Sequence, residues 1–461
     1  MTLDRRTVIA ASLGAASLGI GAATAANAAP NTKKGSALRD AFRDIAHDIL
    51  AGVQPNSTQD QTAALQAAID SAADKGVPVL LPAGTIRVSD LRLRAGTKLI
   101  GNARSTVLEF TGGDAFITGD KADGLVLRGL ILDGAYKTFL EDRGEGLLTL
   151  SRSRDIVIED VEVRHSTRIG ISLISCSGRV SETKFHAILD AGIKSLDATG
   201  LSIANNAISD CGNNGILVWR SEIGEDGTIV SGNRVTKIRN AAGGTGEYGN
   251  GINVFRAGSV LVQGNRVADC AYTAIRGNAA SNIQIIANSC ERLGEVAIYS
   301  EFEFQGAVIA NNVIDTAATG ISVTNFREGG RLSVIQGNLI RNLFRREYEK
   351  KDKRGEGIGV EADAVVSGNT IENAPNVGIQ IGWGPFMRDV AATGNVIRRA
   401  RVGISVTSAL DAGSCLIANN VISEAKDGAI RAMNHGAVLG PDLAREPQTA
   451  GRIVVTGNIA I

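Results

Sequence analysis

The sequence lacks the features that mark several common classes of protein. Its 461 residues carry 48 Lys and Arg against 48 Asp and Glu, so no excess charge favours nucleic acid or an anionic membrane surface. Beyond the N-terminus there is no run of roughly 18 apolar residues, so no membrane-spanning helix is expected. The four histidines are scattered and show no pair at ligand spacing, so we expect neither a metal nor another cofactor.

Aromatic residues are also scarce, at 4% of the chain, whereas glycines number 55. This balance suits thin repeated units with many tight turns. A short motif that begins with Gly-Ile or Ala-Ile returns along the chain, in steps that are mostly 21 to 26 residues long. Its leading isoleucines are Ile171, Ile193, Ile216, Ile252, Ile275, Ile298, Ile321, Ile358, Ile379, Ile404 and Ile430. A near-constant period of this length indicates a repeat architecture.

The repeating unit is predicted to consist of strands. In Gly320–Ile340, apolar Ile321 and Val323 alternate with polar Ser322, and Gly and Asn punctuate the unit. One such unit cannot bury its own apolar face, but stacked units share a continuous core. We therefore predict an all-β fold, a right-handed parallel β-helix of roughly a dozen coils, each with three strands and three turns.

One column of asparagines recurs too often to be catalytic. Stacked Asn side chains form amide ladders along such a solenoid, and Asn tolerates left-handed turns, so a structural role is predicted. The column comprises Asn206, Asn233, Asn265, Asn288, Asn312, Asn338, Asn369, Asn395, Asn420 and Asn458.

The N-terminus is typical of an export signal. Asp4–Ile9 contains Arg5-Arg6 and precedes an apolar stretch that ends in Ala26-Asn27-Ala28, the pattern of a twin-arginine signal with its cleavage site. A general secretory signal with two chance arginines is the alternative. We expect a mature periplasmic or secreted protein, with the twin-arginine export machinery as a partner. The predicted domains are the signal at 1–28, a linker with capping helices at 29–78, and the β-helix at 79–461.

The five cysteines invite a disulfide interpretation in an exported chain. Cys211 and Cys270 fall in a repeat column that elsewhere holds alanine, so they are predicted to point inward. They also lie two coils apart, about 9.6 Å, which is beyond disulfide reach. Buried free thiols are therefore expected.

Two helices are predicted before the first coil, because an open solenoid end needs a cap. The first rests on the helical spacing of Leu38, Phe42, Ile45 and Ile49. The second is placed at Ser57–Lys75, with Thr58 and Gln61 as a capping box.

The segment from Asp60 to Asp70, followed by Val79–Ile86 with its Leu-Pro-Ala-Gly-Thr turn, closely resembles the N-terminal segment of pectin-lyase-like β-helix proteins. With the coil repeats and the twin-arginine start, the chain resembles the twin-arginine-translocated β-helix repeat family, which has no assigned reaction. The resemblance spans residues 57–461 and implies the fold, not a chemistry. The motifs of polygalacturonases, pectate lyases and alginate epimerases are missing, so no catalytic residue is carried over from those enzymes.

Four insertions interrupt the rhythm of the repeat, and all are predicted to leave the coil between the Asn strand and the Gly-Ile strand. They are 133–145, 238–250, 341–356 and 434–450. Insertions on one face of a solenoid often border the binding face. The charged insertion at 341–356 is either a lid over a groove or a solvated loop.

Candidate binding residues occupy the outward positions of the Gly-Ile strands. Aromatic side chains with interleaved charges and amides suit sugar rings and carboxylates, although an aromatic ladder that only stabilises the sheet is the alternative. The candidates are Lys194, Trp219, Arg220, Asn253, Phe255, Arg256, Asn278, Gln380 and Trp383.

Two candidate catalytic pairs share these outward columns. Glu301 and Glu361 are predicted two coils apart, about 9.6 Å, near the upper limit for an inverting glycosidase pair. Alternatively, Arg276 and Tyr299 on adjacent coils supply the base and the acid of an elimination beside a uronate.

The sequence therefore predicts a protein that binds a polysaccharide and leaves open whether it modifies it as a lyase, hydrolase or epimerase. The alternative is a non-catalytic scaffold or adhesin that binds a partner protein. Because no helix follows the last coil, we expect either a monomer whose insertion 434–450 covers that coil or an end-to-end dimer.

Overall fold

The structure, a computed structural model, describes residues 53–140, 144–244, 246–350, 353–446 and 451–461. Strands make up 57% of the described residues and wind into about 14 turns of a parallel solenoid. Each turn contributes one strand to each of three faces, A, B and C, in chain order. The predicted right-handed parallel β-helix is confirmed.

The strands of each face pair with their equivalents one turn away. Face A consists of Val79–Leu80, Lys98–Ile100, Val126–Arg128, Ile156–Glu159, Gly178–Ser181, Ser202–Ala204, Ile229–Ser231, Leu261–Gln263, Ile283–Ile286, Gln305–Ala310, Arg331–Gln336, Ala362–Ser367, Arg388–Thr393, Cys415–Ala418 and Ile453–Thr456. Face B consists of Gly84–Val88, Thr106–Phe110, Ile131–Asp133, Glu162–Ser166, Lys184–Ile188, Ala207–Cys211, Arg234–Ile238, Arg266–Cys270, Leu339–Arg341, Val421–Ala425 and Ile459–Ala460. Face C consists of Leu91–Leu93, Ile117–Asp120, Gly146–Ser151, Ile169–Ile174, Ala191–Leu196, Asn214–Glu225, Asn250–Gly258, Ile275–Asn278, Glu356–Val360 and Ile430–Asn434. Four longer strands continue from face B into face C: Ser289–Glu301, Val313–Val323, Thr370–Ile381 and Val396–Thr407.

The bend between faces B and C explains the glycine of the Gly-Ile motif. A Cβ atom on Gly320 would lie 2.4 Å from the carbonyl oxygen of Gly357 in the next coil. The isoleucine that follows, Ile321, is fully buried, and it stacks in register with Ile298 and Ile358. The first position of the motif is glycine at eight of the eleven bends and alanine at the other three, because a larger side chain would meet the neighbouring coil, and an apolar residue for the core follows.

The described residues contain one α-helix, α1, at Thr62–Lys75, which covers the N-terminal end of the core with Leu65 and Ile69. The predicted start at Ser57 is wrong. Gln61 is the N-cap, and its side chain makes no cap bond because it is hydrogen-bonded to the backbone of Gln54 instead. The predicted signal at 1–28 and the helical spacing of Leu38–Ile49 lie outside the described residues. A short 3₁₀ helix spans Phe326–Glu328.

The asparagine ladder forms as predicted. Each side-chain amide nitrogen donates to the Oδ1 atom of the next asparagine along the axis, over 2.9–3.0 Å, from Asn206 to Asn458. Each also donates to a backbone carbonyl, as Asn312 does to Ile285. The ladder satisfies buried backbone groups at the turn from face A to face B, which is a structural task.

The cysteines are buried free thiols, as expected: Cys176, Cys211, Cys270, Cys290 and Cys415. Cys211 and Cys270 each pair with Ile238, so they lie two coils apart on face B. Burial raises the pKa of Cys211, Cys290 and Cys415 to about 12, so these thiols are protonated and unreactive.

Three of the four insertions leave the coil between faces B and C, as predicted. The prediction for the fourth is wrong, because residues 434–450 follow the face C strand Ile430–Asn434 and precede face A. Part of this insertion, Ala437–Asp442, forms an antiparallel strand on Ile430–Asn434. The Asp442 carboxylate anchors it by accepting hydrogen bonds from the backbone amides of Ala429 and Ile430.

Candidate functional site

The outward positions of face C are not solvent-exposed as the sequence suggests. Asn253 and Glu301 are only 5% and 3% exposed, and Ser172 is fully buried. The insertions from the B–C bend fold back across this face: Gly246 in the second and Arg354 in the third contact groups on face C or beside it. The prediction of a solvated sheet is therefore wrong, because the insertions cover the columns that they border.

A cavity of about 270 Å³ lies between face C and the second insertion. Its size is close to the lower end of the range for small-ligand pockets, about 300–1,000 Å³. Five of the thirteen sequence-predicted site residues line it, and the insertion supplies two lining residues that the sequence analysis missed. The lining residues are Trp219, Asn253, Phe255, Arg276, Asn278, Gly246 and Glu247.

Two aromatic side chains form one wall of the cavity. Trp219 and Phe255 are paired in register on adjacent coils, with ring centroids 6.0 Å apart and planes at 70°. Trp219 also packs against a small buried cluster of Ile169, Ala191 and Leu217. Its indole Nε1 is buried and donates to no acceptor among the described residues. A buried N–H without an acceptor is costly, and this one belongs to a residue that lines a cavity.

Asn253 places a second unsatisfied polar atom beside this wall. Its Nδ2 atom is 3.5 Å from the Glu247 carbonyl oxygen, whereas its buried Oδ1 atom accepts no hydrogen bond from the described residues. The cavity is thus lined by residues that carry one free donor and one free acceptor. A hydroxyl-bearing ligand satisfies both kinds of group.

The opposite end of the cavity is built on a buried ion pair. Arg276 Nε lies 2.6 Å from Glu301 Oε1, and Arg276 Nη2 also pairs with that oxygen. Asn278 Nδ2 donates to the same atom over 3.1 Å. Burial raises the pKa of Glu301, although Arg276 and Asn278 stabilise its anion. Arg276 Nη1 donates to the Gly246 carbonyl over 2.6 Å, so this arginine also holds the second insertion against face C.

Tyr299 lies one coil beyond Arg276, whose guanidinium is 5.4 Å from the tyrosine ring centroid. Burial raises the pKa of its phenol, and the nearby Glu301 carboxylate adds to the shift. The two residues of the predicted acid–base pair therefore lie on adjacent coils, as expected. However, Arg276 is bound to a carboxylate and a carbonyl, which suits a fixed donor better than a base.

The third insertion is anchored by ion pairs of low exposure, although its Glu347, Tyr348 and Lys350 are exposed. Arg346 and Arg354 both reach Glu295 Oε1, over 3.3 and 2.5 Å, and Arg354 also pairs with Glu349 over 2.9 Å. These four side chains are 9–18% exposed. These pairs join the described part of the insertion to the coil that carries Tyr299.

Glu361 does follow the column of Glu301 by two coils, but the environments of the two carboxylates differ. Glu361 accepts a hydrogen bond from the backbone amide of Phe326 over 2.7 Å, at the turn from face C to face A. Burial raises its pKa to about 7, against the effect of the Phe326 and Asn325 amides. The predicted glycosidase pair shares a column, but neither residue lines the cavity.

The other predicted binding residues lie outside the cavity lining. Lys194 pairs with Glu145 over 2.9 Å, and Arg256 stacks on the Phe255 ring while donating to the Ser221 carbonyl. Arg220 donates to the Ala198 carbonyl over 3.4 Å. Gln380 lies in register with Gly359 and Ser405, farther along face C. Trp383 lies beyond its strand, with its ring 5.1 Å from that of His435.

The structure also brings together two histidines that the sequence analysis treated as scattered. His165 and His186 lie on adjacent coils of face B, with ring centroids 6.1 Å apart. His165 Nδ1 is 2.9 Å from Asp133, and His186 Nε2 is 3.2 Å from Glu162. Their separation in sequence is close to one repeat, which is the signal that could have found them. Within the described ranges, no group of three His, Cys, Asp or Glu side chains is arranged to hold a metal ion.

Three family models match parts of the chain. A right handed beta helix region matches residues 222–388, and a rhamnogalacturonase A/epimerase, pectate lyase-like family matches residues 50–131. A periplasmic copper-binding protein family, NosD, matches residues 113–290. These matches agree with the β-helix fold. The pectate lyase-like match ends before the first residue of the cavity. No curated protein matches the sequence.

Solved structures with the same fold have low sequence identity. The N-terminal fragment of bacteriophage phi29 gene product 12 is 16% identical over 92% of this chain and 73% of that chain, with a TM-score of 0.52. The pre-mature form of the same product is 15% identical over 86% of this chain, with a TM-score of 0.52, and the match spans only 57% of its length. The A-module of the Azotobacter vinelandii mannuronan C-5 epimerase AlgE6 is 17% identical over 89% of this chain and 97% of that chain, with a TM-score of 0.39. At these identities the likeness shows the fold alone.

Proposed function

We propose that this is an exported protein that binds a polysaccharide through the cavity on face C. The observation that carries the proposal is the combination of an aromatic wall with unsatisfied polar atoms on its lining residues. Trp219 and Phe255 present ring surfaces, and Trp219 Nε1 and Asn253 Oδ1 are buried without partners. Sugar rings offer C–H faces for the first and hydroxyls for the second.

The family matches and the N-terminal pattern support the cellular setting. Twin-arginine export accounts for Arg5-Arg6 and the Ala26–Ala28 site, and the match to a periplasmic protein family covers residues 113–290. Where the structure describes the chain, no helix is both long and apolar enough to cross a bilayer. The pectate lyase-like match at residues 50–131 supports a carbohydrate ligand.

Modification of the bound glycan is the second candidate function. One observation favours it: Tyr299 and Glu301 lie one coil beyond Arg276 and Asn278, which line the cavity. Lyase action would raise ultraviolet absorbance through an unsaturated product, whereas hydrolysis would raise only reducing ends. If none of the polymers that bind gives either signal, the function is limited to binding.

The test of binding is a glycan array with the mature protein, followed by titration of each hit. Trp219→Ala is expected to weaken binding by about 1–3 kcal/mol, the value of a stacked ring, or roughly 5–150-fold in Kd. Trp219→Leu, which keeps part of the apolar packing against Leu217 but removes the aromatic ring, separates loss of stacking from loss of stability.

The matched control is Trp383→Ala, which removes the other tryptophan of the chain from a place outside the cavity. The glycans found with the wild type are expected to bind this variant with unchanged affinity. If no glycan binds, or if both tryptophan variants lose binding equally, the cavity is not a glycan site. A protein that instead binds the face with Trp219-independent affinity would favour the scaffold alternative.

A further inference from the structure

The charge of the cavity distinguishes between two chemical classes of sugar. Two of its lining residues carry a charged side chain, Arg276 and Glu247. Arg276 is paired with the buried Glu301 carboxylate, so the cavity does not present a free cation at this position. Glu247 is exposed at the rim and adds a negative charge.

Resting on the proposed function, we infer that the cavity takes a neutral, hydroxyl-rich sugar unit and discriminates against uronates. A uronate carboxylate placed beside Arg276 would also lie near Glu301 and Glu247. The cation that would bind it is already paired with Glu301, and Glu247 leaves the site with one net negative charge that opposes it. Such an arrangement excludes a ligand by repulsion as well as by missing attraction.

The unsatisfied atoms indicate a ligand with hydroxyl groups. Trp219 Nε1 needs an acceptor and Asn253 Oδ1 needs a donor. A hydroxyl group supplies either, whereas a carboxylate can only accept. Both classes of sugar carry hydroxyls, so the discrimination between them rests on the charge of the cavity.

Two other arginines lie close to the aromatic wall but outside the cavity lining. Arg256 stacks over the Phe255 ring at 4.8 Å and donates to the Ser221 carbonyl, and it is not among the lining residues. Arg220 lies on the preceding coil, where its Nη1 atom donates to the Ala198 carbonyl. These two arginines flank the aromatic wall, so their contribution has to be measured separately.

The test compares two panels of defined hexasaccharides, titrated by calorimetry against the mature protein. The neutral panel contains oligomers of glucose, mannose, galactose and xylose; the acidic panel contains oligomers of galacturonate, mannuronate and guluronate. Trp219-dependent binding is expected only in the neutral panel, and its Kd is expected to change less than about twofold between 50 and 500 mM NaCl, because no net charge is neutralised.

Charge variants sharpen the test. Glu247→Lys reverses the exposed rim charge without disturbing the core and is expected to raise affinity for galacturonate hexamers about fivefold or more at low salt. Glu301→Gln removes the carboxylate that pairs with Arg276. It is also expected to raise affinity for galacturonate hexamers, although it disturbs a buried ion pair. Arg256→Ala is expected to leave the preference for neutral sugars in place.

The outcomes separate the inference from the proposal beneath it. Trp219-dependent binding of a uronate hexamer in preference to every neutral one, with affinity lost at 500 mM NaCl, overturns the inference but keeps the glycan site. Uronate binding that is lost in Arg256→Ala also overturns the inference and keeps the glycan site, and it assigns the carboxylate contact to Arg256. No Trp219-dependent binding in either panel overturns both.

Discussion

The asparagines of this protein fall into two sets with opposite surroundings. In the ladder, Asn312 accepts hydrogen bonds from the Asn288 backbone and side chain, and donates to Ile285 and Asn338. In the cavity, Asn253 has one long contact at 3.5 Å and a buried oxygen with no partner among the described residues. The same type of side-chain amide is therefore fully hydrogen-bonded in the ladder, whereas in the cavity it keeps a free acceptor for a ligand. Burial alone does not separate the two roles, since both residues are at least 95% buried; the state of the hydrogen bonds does.

The largest expected effect breaks the ladder. Asn312→Ala removes two acceptor and two donor contacts and leaves buried amide groups unsatisfied on both neighbouring coils, so we expect a loss of at least about 3 kcal/mol in unfolding free energy. Asn253→Ala, the matched control, is expected to cost less than about 1 kcal/mol because it removes only one weak bond. Urea denaturation monitored by circular dichroism measures both. Equal shifts of the two midpoints would contradict the comparison.

A smaller effect concerns Glu361, a partly buried carboxylate in the face C column. The folded protein raises the pKa of Glu361 from 4.5 to about 7, so it favours the neutral form. This contribution to stability is fully present below about pH 4.5 and is lost as pH rises through 7, by at most about 3 kcal/mol. Glu361→Gln keeps a neutral side chain, so its unfolding free energy relative to the wild type is expected to rise between pH 5 and pH 8.

The control for this pH effect is Glu303→Gln, which alters an exposed carboxylate two residues beyond Glu301. Its stability is expected to follow the wild-type curve across the same range. Parallel curves for Glu361→Gln and the wild type would show that the Glu361 carboxyl is not held neutral by burial.

The smallest expected effect tests the other half of the asparagine comparison. Asn253→Ala removes the free acceptor, so affinity for a neutral sugar is expected to fall by about 0.5–1.5 kcal/mol, roughly twofold to twelvefold in Kd. A conservative ladder variant, Asn458→Ser at the last rung, is expected to bind as the wild type does. Titration of both against one array hit decides, and unchanged affinity of Asn253→Ala would make its unpaired oxygen irrelevant to binding.

Prediction from sequence succeeded where the repeat itself carried the information. The bend glycine, the inward isoleucine and the stacked asparagine recur in every coil or nearly so, and each recurs because the same backbone geometry is repeated about 14 times. Trp219 and Phe255 were placed on adjacent coils by counting the period, and the structure pairs them. Gln380 and Trp383 share the face but lie too far along the axis to join them.

The failures share one cause, which is that insertions do not obey the period. The expectation that face C is exposed was wrong because described residues of the second and third insertions, such as Gly246 and Arg354, contact this face or its edge. The destination of a loop depends on contacts of this kind. The fourth insertion was assigned to the wrong turn because Ala437–Asp442 forms an antiparallel strand. The helix start was wrong because Gln61 bonds to Gln54 rather than to its own helix.

What the sequence determined by itself is the solenoid: its parallel strands, its ladder and the stacking of the columns, because a periodic chain can bury its apolar positions only by repeating one coil. What the tertiary structure decided is the site. The closure of the cavity by Gly246 and Glu247 arises where a non-periodic loop meets the periodic face. The pairing of Arg276 with Glu301 and the unpaired Asn253 oxygen depend on which side chains adjacent coils and this loop bring together. Such contacts join residues about 25 or more positions apart, and only the folded chain sets their distances and charges.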